Sequence, residues 1–426
     1  MRAVVSACLV FISHGRRVLT TSELIPSQLH STIGISTARS HTSHLPILRA
    51  DASMQLKDIA GDQASADAAA GRSPGQNARL QQLLQISNRA CEALSELVQI
   101  IYKSHLTQET TDKKADASAF TIADGLVQHL LKLLLEGKVA HIVGEEDDSN
   151  VELLPGQPYT VNEMAVPDNL RGLIDEKVKA MQQLRQHLDS NTYGDLVAFI
   201  DPIDGTKEFI NGLGEQCTIC LGFSNADSGE AVAGIVYRPI ASTWAAGAAS
   251  EGFHDSNLAS GGAAGGFLAS RGKLSNFTFA LQKQLGIDFE RVGGAGNKVL
   301  LLLEGQGSVY IQDRGLNRWD TCACEAVLDA FGGRMVRLDG VLEDGRLQPY
   351  TYKESTTNTD FQPLAQPTKY NSDLGTDPSA TVELKTLKPY SNICGLFALA
   401  PSEVPQLDAH VAAAQRAHAQ APAQYD

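Results

Sequence analysis

Cysteine is scarce and unpatterned in this chain: 7 residues are spread over 426 positions. That is too thin for a disulfide framework and fits a reducing compartment. The one CxxC, Cys217 to Cys220, has no second copy and no helix start beside it. Residues three apart on a strand point to opposite faces, so both read as structural thiols. Positive charge is also short, 35 Lys and Arg against 49 Asp and Glu, a formal net charge of −14. Polymeric nucleic acid is therefore excluded as the expected partner, whereas a small anion handled through metal ions is not. The apolar run Ala3 to Ile12 is too short to span a bilayer, and no membrane association is expected.

The first fifty residues lack lysine and hold a single acid, Glu23, beside Arg2, Arg16, Arg17, Arg39, Arg49 and many Ser and Thr. This is the composition of a plastid or mitochondrial transit peptide. A secretory signal is one alternative, but Arg16 and Arg17 follow the apolar run directly and the bias continues beyond them. A disordered cytoplasmic extension is the other. Ala64 to Gln76, rich in Ala, Gly and Asp, reads as a linker. Residues 1–76 are thus expected to be leader and linker, ahead of an N-terminal α+β domain over 77–240 and a C-terminal α/β domain over 241–426. A hydrophobic content of 43% suffices for substantial cores.

Apolar residues recur at three- and four-residue intervals from Leu80 to Ile101, from Leu126 to Leu135 and from Leu170 to Leu188, predicting three amphipathic helices. Short apolar runs at Val139–Val143, Leu196–Ile200, Cys217–Phe223 and Ala231–Tyr237 predict strands, with His141 packed in the core. Asp255 to Gly266 reads as a loop and domain boundary, Gly340 to Lys388 as a polar surface loop, and the Ala/Gln-rich tail as a fraying end.

The most informative stretch is Asp201-Pro202-Ile203-Asp204-Gly205-Thr206-Lys207-Glu208-Phe209, where a buried strand ends in two carboxylates three residues apart. Pro202 presets a turn and Gly205 permits one, so Asp201, Asp204 and Thr206 can converge on one point. Carboxylates held that close repel unless a cation sits between them, and an all-oxygen donor set suits a hard divalent ion such as Mg2+. Four other segments stand out. Thr121 and Asp124 have the residue types of a helix cap, and the acids Glu145 to Asp148 follow a strand end. Gly293-Gly294-Ala295-Gly296-Asn297-Lys298 leads into a helix, where backbone N–H groups can meet a phosphate or simply make a tight turn. Asp320, in Trp319-Asp320-Thr321-Cys322-Ala323, stands before an apolar helix as an ordinary N-cap would.

DPIDGTKEF resembles the metal-binding signature of the inositol monophosphatase superfamily, and its Lys-Glu-Phe continuation resembles the 3'(2'),5'-bisphosphate nucleotidase branch. WDTCA leading to Gly332-Gly333 is similar to the second superfamily signature, although relatives usually carry Pro or Gly where this chain has Cys324. The resemblance spans about Leu80 to Ala414. It implies a layered αβαβα sandwich of the α/β class, with Glu145, Asp201, Asp204, Asp320 and the carbonyl of Ile203 holding two or three Mg2+ ions. It further implies that Asp124 and Thr206 orient and deprotonate the attacking water. Gly205, Thr206, Gly294, Lys298 and Asp320 would contact a small nucleotide bisphosphate, with inhibition by lithium and a monomer or homodimer as the expected assembly. The expected reaction is loss of the 3'-phosphate of 3'-phosphoadenosine 5'-phosphate or of its 5'-phosphosulfate. Inositol-phosphate or sugar-phosphate hydrolysis and a non-catalytic nucleotide sensor are the alternatives. Gly272 and Lys273 stand near where close relatives often place a His by the nucleotide.

Overall fold

The periodic stretch from Leu80 to Ile101 folds as helix α1 (Arg79–Ser104), with its apolar stripe buried and no side chain capping its start. The structure is a computed structural model, and it describes residues 78–424 apart from 115–118, 260, 262–264, 354–355, 357–367, 370–376 and 382–389. The expected leader and linker, residues 1–76, lie outside the described residues. Among the described residues no helix is long and apolar enough to cross a membrane.

Strands β1 (Thr111–Lys113) and β2 (Ala119–Thr121) form a two-stranded hairpin that delivers the chain into α2 (Ile122–Leu135). The first large sheet comprises β3 (His141–Gly144), β4 (Leu196–Asp204), β5 (Thr218–Asn225), β6 (Ala231–Arg238), β7 (Thr243–Ala248) and β8 (Phe253–Ser256), in spatial order β8-β7-β6-β5-β4-β3. Only β3 and β4 run parallel; the connection between them carries helix α3 (Arg171–Arg185). Leucines and valines of α1 and α2 pack with the large apolar residues of β4, β5 and β6 into one core, which makes a helical layer on one face of the sheet.

The second sheet comprises β9 (Gly266–Ala269), β10 (Phe289–Arg291), β11 (Gly307–Gln312), β12 (Arg334–Arg337) and β13 (Leu396–Leu399), in spatial order β10-β9-β11-β13-β12. Helices α4 (Thr206–Ile210) and α5 (Asn276–Leu285) come before it or within it in the chain, followed by α6 (Ala295–Leu303), α7 (Arg318–Ala330), α8 (Leu338–Asp344) and α9 (Leu407–Gln420). A core of Phe199, Val236, Val299, Leu300, Tyr310, Trp319 and Val327 joins both sheets to α6 and α7, so these two helices form the middle layer. A third core joins the far face of the second sheet to α5, α8 and α9 through Phe277, Leu281, Val341, Ala413, Ala414 and Ala417. The layers are therefore helix, sheet, helix, sheet, helix, as expected.

α7 lies unusually close to the first sheet. Gly222, Gly234 and Gly247 stand side by side across β5, β6 and β7. A Cβ on them would come within 2.4 Å of Ala323 N, 2.6 Å of Ala323 O and 2.4 Å of the Ala330 Cβ. The three form a shallow trough in which Ala323 and Ala330 of α7 sit.

Several expectations need correction. The first sheet extends past residue 240 through β7 and β8, and the change of sheet falls between Ser256 and Gly266, within the stretch from Asp255 to Gly266 expected as a loop. His141 is exposed at the start of β3, not packed in the core. The segment from Gly340 is not uniformly a polar surface loop: it completes α8, and Tyr350 and Tyr352 are buried. The tail is held, because alanines at 413, 414 and 417 recur at helical spacing and give α9 a flat face that packs on the second sheet's outer layer.

Candidate active site

All nine residues of β4 are buried, so its last residues bring two carboxylates into the protein interior. Asp201 pairs with Cys220 and Asp204 with Thr218, three residues on β4 against two on β5. This is a bulge, and it explains the convergence: residues three apart in a regular strand face opposite ways, but one extra residue returns Asp204 to the face of Asp201. Gly205 follows at φ 91°, the left-handed region, and turns the chain into the short helix α4.

Asp320 reaches the same point from α7. It is the third residue of the helix rather than its cap; Asn317 is the cap, and its backbone N–H donates to Asp320 Oδ2 at 2.6 Å. Carboxylate oxygens of Asp201, Asp204 and Asp320 all lie within 4.8 Å of one another. Burial raises all three carboxyls. Asp201 is pushed well above the usual range by burial and then by Glu145, Asp204 and Asp320, and Asp320 to about 7 by burial and then by Asp204. Oδ1 of Asp201 is buried without a hydrogen-bond partner. A buried carboxylate oxygen left unpaired among like charges is what a cation would satisfy.

Asp204 is held differently. Its Oδ1 accepts from Ala295 N at 3.0 Å and its Oδ2 from Gly296 N at 2.7 Å and from Thr218 Oγ1 at 2.8 Å. The Gly-rich start of α6 therefore grips a carboxylate of the protein itself. Of the two readings open for this stretch, a phosphate cradle or a tight turn, the structure shows the N–H groups of Ala295 and Gly296 and the positive helix end turned to Asp204. Lys298 is likewise not exposed to receive a phosphate. It is buried, donates from Nζ to Gly294 O at 3.0 Å and lies 4.9 Å from the centre of the Tyr310 ring. Burial lowers its ammonium, opposed by Asp204, Glu208 and Asp320. Gly294, at φ 69°, makes the turn before the helix.

β3 runs parallel to β4, and Glu145 N donates to Ile200 O at 3.0 Å, so Glu145 leaves the sheet beside Asp201. Lys114, the residue after the hairpin strand β1, puts its ammonium 2.6 Å from Glu145 Oε1 and 2.5 Å from Glu146 Oε1. Burial pulls that ammonium down, but Glu145, Glu146 and Asp124 outweigh it and the net shift is upward. Burial, then Glu145, raises Glu146 to about 8.

Asp124 serves two partners with its two oxygens. Oδ2 closes a capping box on α2, accepting from Thr121 N at 2.8 Å and Thr121 Oγ1 at 2.6 Å. Oδ1 faces Thr206, whose Oγ1 is 3.0 Å away and also 3.0 Å from Ile203 O. Burial raises the Asp124 carboxyl to about 6, against the pull of Lys114. The helix-cap reading is thus realised at Asp124, and its second oxygen is left to Thr206.

Sequence reasoning missed Lys114 and Thr218. Lys114 sits in a polar Lys-Lys pair with nothing to mark it; Thr218 could have been found only from the strand register that sets it opposite Asp204.

Comparison with known proteins bears on this geometry. The family model described as the inositol monophosphatase family matches residues 79–367. The 3'(2'),5'-bisphosphate nucleotidase 1 of Mus musculus is 35% identical over 235 residues, covering 52% of this chain and 71% of that protein. Inositol polyphosphate 1-phosphatase of Mus musculus is 26% identical over 318 residues, covering 60% of this chain and 80% of that protein. A solved inositol monophosphatase from Zymomonas mobilis aligns with 80% of this chain and 100% of its own at 16% identity, TM-score 0.46. The family match spans α1 through α8 and takes in every carboxylate described above, so the chain belongs to the inositol monophosphatase family and is a phosphatase.

Proposed function

We propose that this phosphatase is a Mg2+-dependent 3'(2'),5'-bisphosphate nucleotidase that hydrolyses the 3'-phosphate of 3'-phosphoadenosine 5'-phosphate, and of the corresponding 5'-phosphosulfate. The observation that carries the reading is the buried trio Asp201, Asp204 and Asp320, within 4.8 Å, with one Asp201 oxygen unpartnered. An all-oxygen set of that charge fits Mg2+, and Glu145 and the carbonyl of Ile203 would complete its shell. The ion, when bound, supplies charge neutralisation at the phosphate and an acidified water.

The chain's own residues do the rest. Thr206 donates its proton toward Asp124 Oδ1 or Ile203 O, which leaves its lone pairs to hold the attacking water. Asp124, raised to about 6 by burial, is a carboxylate poised to take up a proton near neutral pH. As the water oxygen bonds to phosphorus and the sugar O–P bond breaks, the proton passes through Thr206 to Asp124 and the alkoxide is protonated from solvent. Lys298, behind Asp204, limits the repulsion among the carboxylates.

The choice of nucleotide is supported by the 35% identity to the mouse protein named for that activity. The 26% identity to the mouse inositol polyphosphate phosphatase favours a second reading, hydrolysis of inositol polyphosphates. Chromatography of the products decides between positions: adenosine 5'-monophosphate and free phosphate are expected from adenosine 3',5'-bisphosphate. Formation of adenosine 3'-monophosphate, or no turnover of the nucleotide, would overturn the assignment.

A further inference from the structure

Behind the site, β6 ends in a buried arginine whose guanidinium is fully engaged. Arg238 Nε donates to Asn297 Oδ1 at 2.9 Å, Nη1 to Glu304 Oε1 at 2.7 Å and Thr243 Oγ1 at 3.3 Å, and Nη2 to Glu304 Oε2 at 3.2 Å and Asn297 O at 3.4 Å. Five donors meet five acceptors, the most a guanidinium can offer. The contacts are not spread at random. Asn297 is in the first turn of α6 and Glu304 is the residue that ends it, so one side chain fastens both ends of a nine-residue helix to the first sheet.

The fastening passes directly to the site. Asn297 Nδ2 donates to Gly293 O at 3.0 Å, which closes the Gly-rich turn on itself. From the other side, Gln216 Oε1 accepts from Gly293 N at 2.8 Å. The turn so fixed presents Ala295 N and Gly296 N to Asp204. It has no slack: a Cβ on Gly296 would lie 2.4 Å from Thr218 Oγ1 and 2.7 Å from Cys220 Sγ, and one on Gly294 would lie 3.0 Å from Asp204 Oδ2.

We propose that Arg238 is a positioning residue for Asp204, acting through Asn297 and the first turn of α6. Arg238, Asn297 and Glu304 are all buried. A buried ion pair adds little net stability over an apolar pair of the same volume, because desolvation offsets its attraction. What it adds is direction: the planar fork fits one arrangement of Asn297 and Glu304. Asp204 consequently stays in place whatever the charge of the carboxylates around it.

The inference rests on the reading that Asp204 helps hold Mg2+, and the test separates the two. Two variants are compared with the wild type. Arg238→Lys keeps a charge opposite Glu304 but loses the fork to Asn297, and the double variant Arg238→Met/Glu304→Leu replaces the ion pair by apolar groups. Mg2+ is titrated calorimetrically into chelator-treated protein, and amide exchange is followed in a peptide covering residues 293–298. Both variants are expected to bind Mg2+ about tenfold more weakly, with exchange of that peptide accelerated at least about tenfold. The double variant is expected to melt within a few degrees of wild type. A purely structural role would move the melting temperature and leave Mg2+ affinity and local exchange as in wild type, and that result in either folded variant would overturn the proposal. Should the wild type take up no Mg2+, the metal reading fails by itself, and the exchange measurement still decides the positioning role.

Discussion

Asp204→Asn is the substitution whose consequences the geometry defines most closely. Asparagine keeps the shape of the side chain, removes one negative charge and turns one acceptor oxygen into a donor. Its remaining oxygen can accept from Ala295 N, as Oδ1 does now at 3.0 Å. At the other position Thr218 can rotate its hydroxyl to accept, but Gly296 N–H, now 2.7 Å from Oδ2, would face an NH2 group. One buried N–H without an acceptor costs about 1–3 kcal/mol. Relief of burying a charge works the other way, since burial already disfavours the ionised form of Asp204. For a chain this long each kcal/mol moves the melting temperature by about 2 °C, so in chelator the variant should melt no more than about 6 °C below wild type. Mg2+ binding should suffer far more. Removing one partner of a buried charge pair costs about 3–5 kcal/mol, a rise of about two to three and a half orders of magnitude in half-saturating Mg2+. The assay is phosphate release from adenosine 3',5'-bisphosphate against Mg2+ concentration, with melting in chelator as the control for folding. A folded variant with wild-type turnover and wild-type Mg2+ dependence would refute the reasoning.

Thr206→Val removes the hydroxyl between Asp124 and Ile203 O; kcat should fall by about 10²–10⁴ with KM little changed, Thr206→Ser should restore most of it, and an unchanged kcat would exclude the proton path. Lys298→Met should lower phosphate release from adenosine 3',5'-bisphosphate and adenosine 3'-monophosphate by a similar factor, about tenfold or more, because the ammonium faces Asp204, Glu208 and Asp320. A loss confined to the bisphosphate would show instead that Lys298 contacts the second phosphate. Glu325 lies buried on α7 with Tyr352 Oη donating to it at 2.6 Å, and burial raises its carboxyl from 4.5 to about 8. The folded protein keeps a proton there that the unfolded chain loses, so this group's contribution to stability falls as pH rises from about 4.5 to 8. The melting temperature of Glu325→Gln relative to wild type should climb from pH 5 to 8 and level off above it; parallel curves would show that Glu325 is ionised in the fold.

The layered fold was legible because its helices and strands are long and periodic: Leu80 to Ile101 and Leu196 to Ile200 are unambiguous in length and pattern. The carboxylates were legible too, since Asp201 and Asp204 frame a Pro and a Gly follows at a strand end. What joins them was not. The convergence of Asp201 with Asp204 was expected from a turn at Pro202 and Gly205, but it is made within the strand by a bulge, that is, by the register of β5 against β4, which no local pattern encodes. The same holds for the trough of Gly222, Gly234 and Gly247, three glycines far apart in sequence that meet only when three strands pair. The Gly-rich helix start is illegible for a related reason: it announces an anion, but the sequence does not say that the carboxylate of Asp204 takes the N–H groups of Ala295 and Gly296. The carboxy-terminal helix was missed because alanine packs as well as it solvates, and its buried face becomes visible only against α5.

The most direct measurement is kcat/KM for phosphate release by the wild-type protein from adenosine 3',5'-bisphosphate, inositol 1,4-bisphosphate and fructose 1,6-bisphosphate, each with Mg2+ and with excess chelator. Turnover of the adenosine bisphosphate should be at least about tenfold more efficient than of the other two, a difference of about 1.4 kcal/mol in transition-state stabilisation, and should vanish in chelator. Undiminished hydrolysis in chelator would contradict the assignment of Asp201, Asp204 and Asp320, and preference for the inositol or sugar phosphate would contradict the assignment of the nucleotide.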